Sequence, residues 1–373
     1  MKFSVLAAFT RALLVSAAIL TGYPLSAELI WSPEGNVGGA GAWEADEPVF
    51  SDGDQAVSFA EGEDLRFPQP GGVVEIGGEF SAGQLLVEST AYTFELDNLL
   101  PSRLSISKLT GAPEFGFDGV IGAGADAYPS LATLRASGLV LEPAGAEEIT
   151  ATLSSFGGGS PLLRVVGDRG PVTFNGRWNS DTGSVISWLV LDEGAHFLLG
   201  PEADMRFIKN GFYTLQLWVS GDGSGLLELD PDFVADKTEK GSQRLGIGSI
   251  RLGAGTLRTH HSRNLPLGYR PQSDGSAQTN GHMAFENSDG LRWEVRTHPH
   301  TYPGAVWVFR DLTVDTEVDL VHVGVSESAP DYTARNGWSL INAVTLTKTG
   351  AADLVLAGEQ AYAPGSSVVV EEG

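Results

Sequence analysis

The feature that most narrows the fold is a series of short apolar runs with no convincing helix between them. They begin at Val73–Ile76 and Gln84–Val87 and continue through Leu162–Val166, Val185–Leu191, Phe212–Val219 and Leu291–Val295 to Leu354–Leu356 and Ser367–Val370. Most are four to eight residues long, rich in Val, Leu, Ile and aromatic residues, and closed by Gly, Pro, Asp or Asn, which is the pattern of strands between tight turns. Some alternate apolar and polar residues. Others, such as Trp188-Leu189-Val190-Leu191, are apolar throughout and suit strands covered on both faces. The only stretch with helical character is Asp232 to Lys240, and it lacks an apolar stripe. A doubly wound α/β fold needs a helix between successive strands, so the class expected is all-β. Within that class the pattern leaves a sandwich, a propeller and a solenoid open; a solenoid, with Gly, Asn and Asp at its corners and Val, Leu and Phe stacked inside, fits at least as well as the others.

Composition excludes several functions. The chain carries 47 acidic and 23 basic residues, a formal charge of −24, which repels phosphate backbones and argues against a nucleic-acid partner. It has no cysteine, so thiol catalysis, Cys-ligated metals and disulfides are all ruled out. Residues 1–27 have a short basic start at Lys2 and Arg11, an apolar core from Ala12 to Leu20, a break at Gly22 and Pro24, and small residues up to Ala27. That is the pattern of a secretory signal peptide cleaved after Ala27. The core is shorter than the ~20 residues that span a bilayer. No later run is long enough, so no transmembrane segment is expected in the mature chain, which is predicted to be secreted or held at the cell surface.

The C-terminal segment Leu346 to Gly373 resembles the autotransporter-associated β-strand repeat, also called the passenger-associated transport repeat. The match rests on Lys348, Thr349, Gly350, Leu354, Leu356, Gly358, Tyr362, Gly365, Val368 and Val370. Ala352 stands where the repeat usually has a second Gly, and Ala361 where it usually has Asn. The mature N-terminus is similar to the opening module of large exported repeat proteins, through Trp31, Trp43, Pro48-Val49-Phe50, Asp52-Gly53-Asp54 and Val57-Ser58-Phe59. The resemblance implies a right-handed parallel β-helix (solenoid), with β-sandwich modules as the alternative, in a passenger-like, outer-membrane-associated chain with a signal peptide (1–27), a β-rich passenger-like region (28–345) and the repeat (346–373). It implies adhesion or support rather than turnover, with an extracellular glycan or cell-surface component as partner and no cofactor. A translocating barrel, which such passengers usually carry, does not fit after Leu346. In the residues themselves, Leu354 and Leu356 share one face of a strand, Gly350 and Gly358 mark turns, and Tyr362 is placed to cap the apolar stack.

A second reading comes from the histidines. Six of the seven lie between Arg258 and Val323: His260, His261, His282, His298, His300 and His322. On a strand His298 and His300 would share a face, and with His260, His261 and a carboxylate such as Asp274, Asp289 or Glu294 they could bind a metal or act on a substrate. No HExxH-like spacing assigns one, and Pro299 is equally consistent with a polar strand edge. The long polar connection Arg258 to Gly281 is of the kind that carries function. The alternative to a passive module is therefore a protein that binds or degrades an extracellular polysaccharide through region 258–322, with Tyr269 and Tyr302 as sugar contacts. Asp230 with Asp232 and Glu202 with Asp204 are the carboxylate pairs to test. Trp178, Trp188, Trp218, Trp293, Trp307 and Trp338 are expected in the core, with sugar stacking as the other use. Gly221–Gly225 lacks the spacing of a nucleophile elbow, and Gly246-x-Gly248 and Gly253-x-Gly255 lack the helix of a dinucleotide site.

Overall fold

The structure is a computed structural model that describes residues 28–372 except 99–101, 120, 122–127, 157–158, 181–185, 209–214, 236–243, 267–268, 272–276, 280, 303, 324–336 and 358–359. The signal-peptide segment therefore lies outside the described residues, as do Gly358 and Asp274. Strands hold 51% of the chain and helix 4%, so the connections between parallel strands are other strands rather than helices. The chain is a β-solenoid. A 15-stranded sheet, a nine-stranded sheet and a third face made of an eight-stranded and a three-stranded sheet run side by side. One turn visits each face once: Ile186–Asp192 on the long face, His196–Leu199 on the nine-stranded face, Asp204–Ile208 on the third. The next turn, Leu215–Gly221 then Leu226–Leu229, pairs in parallel with the one before. A right-handed coil is the sense that parallel crossovers take almost without exception. Parallel strands that change face at every step exclude the sandwich.

Register converts the apolar runs into ladders. On the long face Phe80, Leu104, Leu139, Leu163, Leu189, Val219, Leu252, Phe285, Val308 and Leu340 each sit opposite the next, one rung apart. All ten are buried. The third face adds Val74, Phe94, Phe115, Leu153, Trp178 and Met205. The nine-stranded face adds Phe197, Leu227, Leu257, Trp293 and Val314. Each such side chain contributes about 1.5–3 kcal/mol on burial, and neither neighbour alone would bury it. Corners require left-handed backbone. Gly255 has φ +82°, and a Cβ there would overlap Gly225 O of the rung before, so only glycine fits.

The two ends differ. At the N-terminal end the long face finishes in short antiparallel strands, Phe50–Ser51 and Ala56–Val57, over a plug of Trp31, Trp43, Phe50, Phe59, Phe67 and Phe80. Trp43 stacks on Phe80 at 4.6 Å and Trp31 on Phe67 at 5.4 Å. At the other end the repeat segment stacks on the preceding turn: Thr345–Thr349 on Leu312–Thr316, Leu354–Leu356 on Leu320–His322, and Ala361–Tyr362 on Trp338–Leu340. Leu354 and Leu356 are half-buried against the core, and Tyr362 sits on Leu340, half exposed. Lys348 occupies an inward position between Val314 and Val370, buried, with its ammonium donating to Gly350 O and Glu372 O.

Two local expectations differ from the structure. The described part of the candidate helix, Asp232–Ala235, is a turn. Asp232 N donates to Asp230 Oδ1 at 2.9 Å, a local bond that competes with helix formation, and 236–240 lie outside the described residues. A helix does occur at Leu131–Arg135, capped by Ser130 Oγ accepting from Thr133 N at 3.1 Å. It lies across the outer side of the long face. Tyr128 packs on Trp218 (4.4 Å) and Trp188 (5.4 Å), and Arg135 clamps the fully buried Asp192, which also accepts from Arg164 at 2.8 Å.

Candidate functional site

The outward positions of the nine-stranded face carry a charge network built by register. Glu228 sits opposite Arg258, Arg258 opposite Glu294, and Glu294 opposite Asp315, one rung apart each time. Rungs stack at ~4.8 Å, so charges of one sign in a column would repel; Arg258 between Glu228 and Glu294 removes that cost over the first two steps, and arginines beside the column offset it at the Glu294–Asp315 step. Arg258 binds Glu294 (2.7 Å) and Glu228 (3.2 Å). Arg292 and Arg296 separate Glu294 from Asp315: Arg292 binds Glu294 at 3.1 Å and also Asp315, while Arg296 lies 3.1 Å from Asp315 and 3.2 Å from Glu317. Burial pushes the Asp315 carboxyl up, but hydrogen bonds from Arg296 and Arg292 outweigh it and hold it below the usual range.

Glu228 is the centre of this face. His196 Nε2 lies 2.7 Å from Oε2 and His260 Nε2 2.6 Å from Oε1. Burial raises the Glu228 carboxyl, but the two imidazoles and Arg258 overcome it and hold it at about 2. An ionised carboxylate only accepts, so both Nε2 atoms donate. His260 Nδ1 meets Thr297 Oγ1 at 2.6 Å. Thr297 has φ +71°, a left-handed conformation that costs a β-branched residue on the order of 1–3 kcal/mol. The strained corner brings its hydroxyl onto His260 and sets the geometry of the next two histidines.

The structure brings part of the histidine group together. His261 and His298 meet edge to face at 5.6 Å between ring centroids, and His261 Nδ1 caps the turn Ser262–Asn264 by accepting from Arg263 N at 3.0 Å. His298 and His300 do not share a face. The strand begins only at His300, and the Thr297 corner leaves His298 exposed in the turn while His300 points into the solenoid, fully buried. Neither ring nitrogen of His300 has a hydrogen-bond partner, and burial lowers its pKa to about 4. Among the described residues no group of three or more His, Asp or Glu side chains is placed to hold a metal ion.

Tyr302 is 1% exposed, so it offers no face to a sugar. Strand alternation puts it on the inner side with His300, where its hydroxyl donates to Gly281 O at 3.0 Å. Tyr269 lies in Tyr269–Pro271, which pairs antiparallel with Ala277–Thr279; its side chain lies outside the described residues. Asp230 Oδ1 accepts from the Asp232 backbone N–H at 2.9 Å, and Asp204 pairs with Arg177 at 3.5 Å. Trp178, Trp188, Trp218, Trp293 and Trp338 are buried as expected. Trp307 is the exception, half-buried on the outer side and stacked 4.6 Å from His282.

Comparison with family models, with curated proteins and with solved structures finds no match. Function is therefore argued from this chain's own residues. Three pieces of the outer surface were not anticipated from sequence: the His196–Glu228–His260 bridge, Arg251 on the long face, and the Tyr128–Arg135 strap. Arg251 lies over the Trp218 ring at 4.1 Å and binds Glu286 at 2.6 Å. Arg258 falls where the sequence reads as the start of a long polar connection, and only the register of Thr256–Thr259 on Leu226–Leu229 sets it opposite Glu228. The partners of Arg251 and Tyr128 are tens of residues away and leave no local signal.

Chemically, the charged face is saturated. A general acid or base needs a pKa near the working pH. Glu228 at about 2 is locked as an anion with its oxygens engaged, and Asp315 is likewise held ionised. One cavity among the described residues, lined by Ile106, Leu141, Ile149 and Val172, has a volume of about 10 Å³, which admits one water and not a sugar ring.

Proposed function

We propose that the protein is an exported β-solenoid scaffold, a structural or adhesive module displayed at the cell surface or secreted, that works by shape and surface rather than by turnover. The observation that carries this reading is the saturated outer face. Along the nine-stranded face His196, Glu228, His260, Arg258, Glu294, Arg296, Asp315 and Glu317 are each held by a neighbour one rung away, an arrangement that favours stability of an extended rod over proton transfer. The signal-peptide pattern of residues 1–27 and the passenger-type repeat at 346–373 support export. No helix among the described residues is long and apolar enough to cross a membrane. The test is fractionation of cells making a C-terminally tagged chain, with N-terminal sequencing. Export gives an extracytoplasmic protein that begins at Glu28. Retention in the cytoplasm with Met1 intact overturns the reading.

A second reading, binding of an extracellular glycan, is favoured by one observation: Trp307, half-buried beside His282 on the outer side of the long face, is the single tryptophan of the six that presents part of its ring outward. A glycan that binds there loses affinity on Trp307→Ala. Equal binding by the wild type and the variant removes this reading.

A further inference from the structure

The outer side of the long face carries a column of its own, in register from rung to rung: Trp188 opposite Trp218, Trp218 opposite Arg251, Arg251 opposite Ala284 and Ala284 opposite Trp307. At ~4.8 Å per rung, Trp188 and Trp307 stand ~19 Å apart along it. The core does not need these tryptophans, because the inward ladder of Leu189, Val219, Leu252 and Phe285 fills the inside of the same strands. Trp188 and Trp218 are instead covered from outside by Tyr128. Its ring lies 4.4 Å from Trp218 and 5.4 Å from Trp188, and its hydroxyl donates to Arg251 O at 3.3 Å. Gly253 leaves room for it, since a Cβ there would come within 3.0 Å of the Tyr128 ring. In polar terms the cover is incomplete. Trp188 Nε1 and Arg251 Nε, on the rungs either side of Trp218, are buried donors with no hydrogen-bond partner. Buried donors in folded proteins are nearly always satisfied, and a phenol with one oxygen, already engaged with Arg251 O, leaves both unmet.

We propose that Trp188, Trp218 and Arg251 form a subsite for a neutral pyranose oligosaccharide, which Tyr128 occupies from within the chain until the sugar displaces it. The inference rests on the glycan reading above and extends it from Trp307 to a track whose first half is covered. Three features select a sugar. The two indoles give an apolar platform of the kind that packs against the C–H face of a pyranose ring. Sugar hydroxyls both donate and accept, so one ring has the groups to accept from Trp188 Nε1 and Arg251 Nε and to donate to the Glu286 carboxylate, which pairs with Arg251 at 2.6 Å and faces the Tyr128 hydroxyl. Charge favours a neutral glycan over an acidic one, because Glu286 already neutralises Arg251 and the chain carries −24. The displacement is local. Tyr128 precedes the cap residue Ser130, so its ring can swing off the tryptophans while Leu134, fully buried, and Arg135, bound to Asp192, keep the helix Leu131–Arg135 in place.

The test is titration calorimetry of the purified protein with cello-, xylo-, manno- and chito-oligosaccharides. Wild type, Trp307→Ala, Tyr128→Ala and the double variant Tyr128→Ala/Trp218→Leu are compared, each checked by far-UV circular dichroism and melting temperature. Tyr128→Ala is expected to bind one of these sugars ~10-fold or more tighter than the wild type, because the subsite no longer has to be vacated first. Adding Trp218→Leu is expected to cancel the gain. A tyrosine that only packs the strap gives a lower melting temperature and an unchanged affinity, which overturns the proposal, as does a gain that survives Trp218→Leu. Should Tyr128→Ala fail to fold, Tyr128→Phe decides: it keeps the ring, drops the bond to Arg251 O and is expected to show a smaller gain, and no gain overturns the proposal. Binding that Trp307→Ala abolishes and Tyr128→Ala leaves unchanged removes the subsite and keeps the glycan reading. No binding by any of the proteins removes both.

Discussion

His300 makes the solenoid sensitive to acid in a defined window. The imidazole is fully buried, neither nitrogen has a partner, and burial lowers its pKa from 6.5 to about 4. A depressed folded-state pKa means that the unfolded chain takes up the proton first. Above pH 6.5 the ring is neutral in both states and its contribution is intact. As pH falls through 6.5 toward 4 the unfolded state binds more protons and stability is lost. A gap of about 2.5 pH units at 1.36 kcal/mol each amounts to about 3 kcal/mol, of the order of a third of a typical domain's stability. Replacing His300 with Leu removes the proton site and the two unpaired nitrogens while keeping an apolar side chain opposite Leu320. Urea unfolding followed by tryptophan fluorescence at pH 7.5, 6, 5 and 4.2 reads the difference. The variant is expected to equal or exceed the wild type at pH 7.5 and to gain on it by about 2–3 kcal/mol by pH 4.2. Parallel pH profiles for the two proteins would refute the reasoning.

The bridge at Glu228 has a window at lower pH: its carboxyl is depressed from 4.5 to about 2, so its contribution is present above pH 4.5 and lost as pH falls through 2. Glu228→Gln should cost about 1–3 kcal/mol at pH 7 in urea unfolding, and the difference should vanish near pH 2. Asp192→Asn removes the buried charge that Arg135 and Arg164 share and should cost about 1–3 kcal/mol, with faster amide exchange in Leu131–Arg135 as the strap loosens. Gly350→Ala, at φ +82° with Thr316 O in the way of a Cβ, should lower the melting temperature, while Ala351→Gly, next to it on the exposed turn, should leave it within a degree or two.

The strand architecture was legible because a solenoid writes its core locally. Trp188-Leu189-Val190-Leu191 reads as a strand covered on both faces, and it is one: Leu189 points inward and Trp188 outward beneath Tyr128. What covers Trp188 was not legible, because Tyr128 reaches it from another turn of the coil. The histidines failed for a related reason. Residues two apart share a face only inside a strand, and Thr297 at φ +71° ends the preceding corner so late that His298 never enters one. The strand that does form begins at His300, and its alternation turns Tyr302 inward with it. Lys348 stood out as part of a motif, yet only register shows that it lies in an inner ladder with its ammonium tied to carbonyls.

A scaffold that works without turnover is tested most directly by turnover itself. Purified protein is incubated with a panel of extracellular polysaccharides and peptides, new reducing ends, unsaturated sugars and free amines are followed over hours, and Glu228→Gln is run beside the wild type. A passive solenoid gives traces for both proteins that match the buffer. Product that accumulates with the wild type and disappears with Glu228→Gln would contradict it and make the charged face an active site.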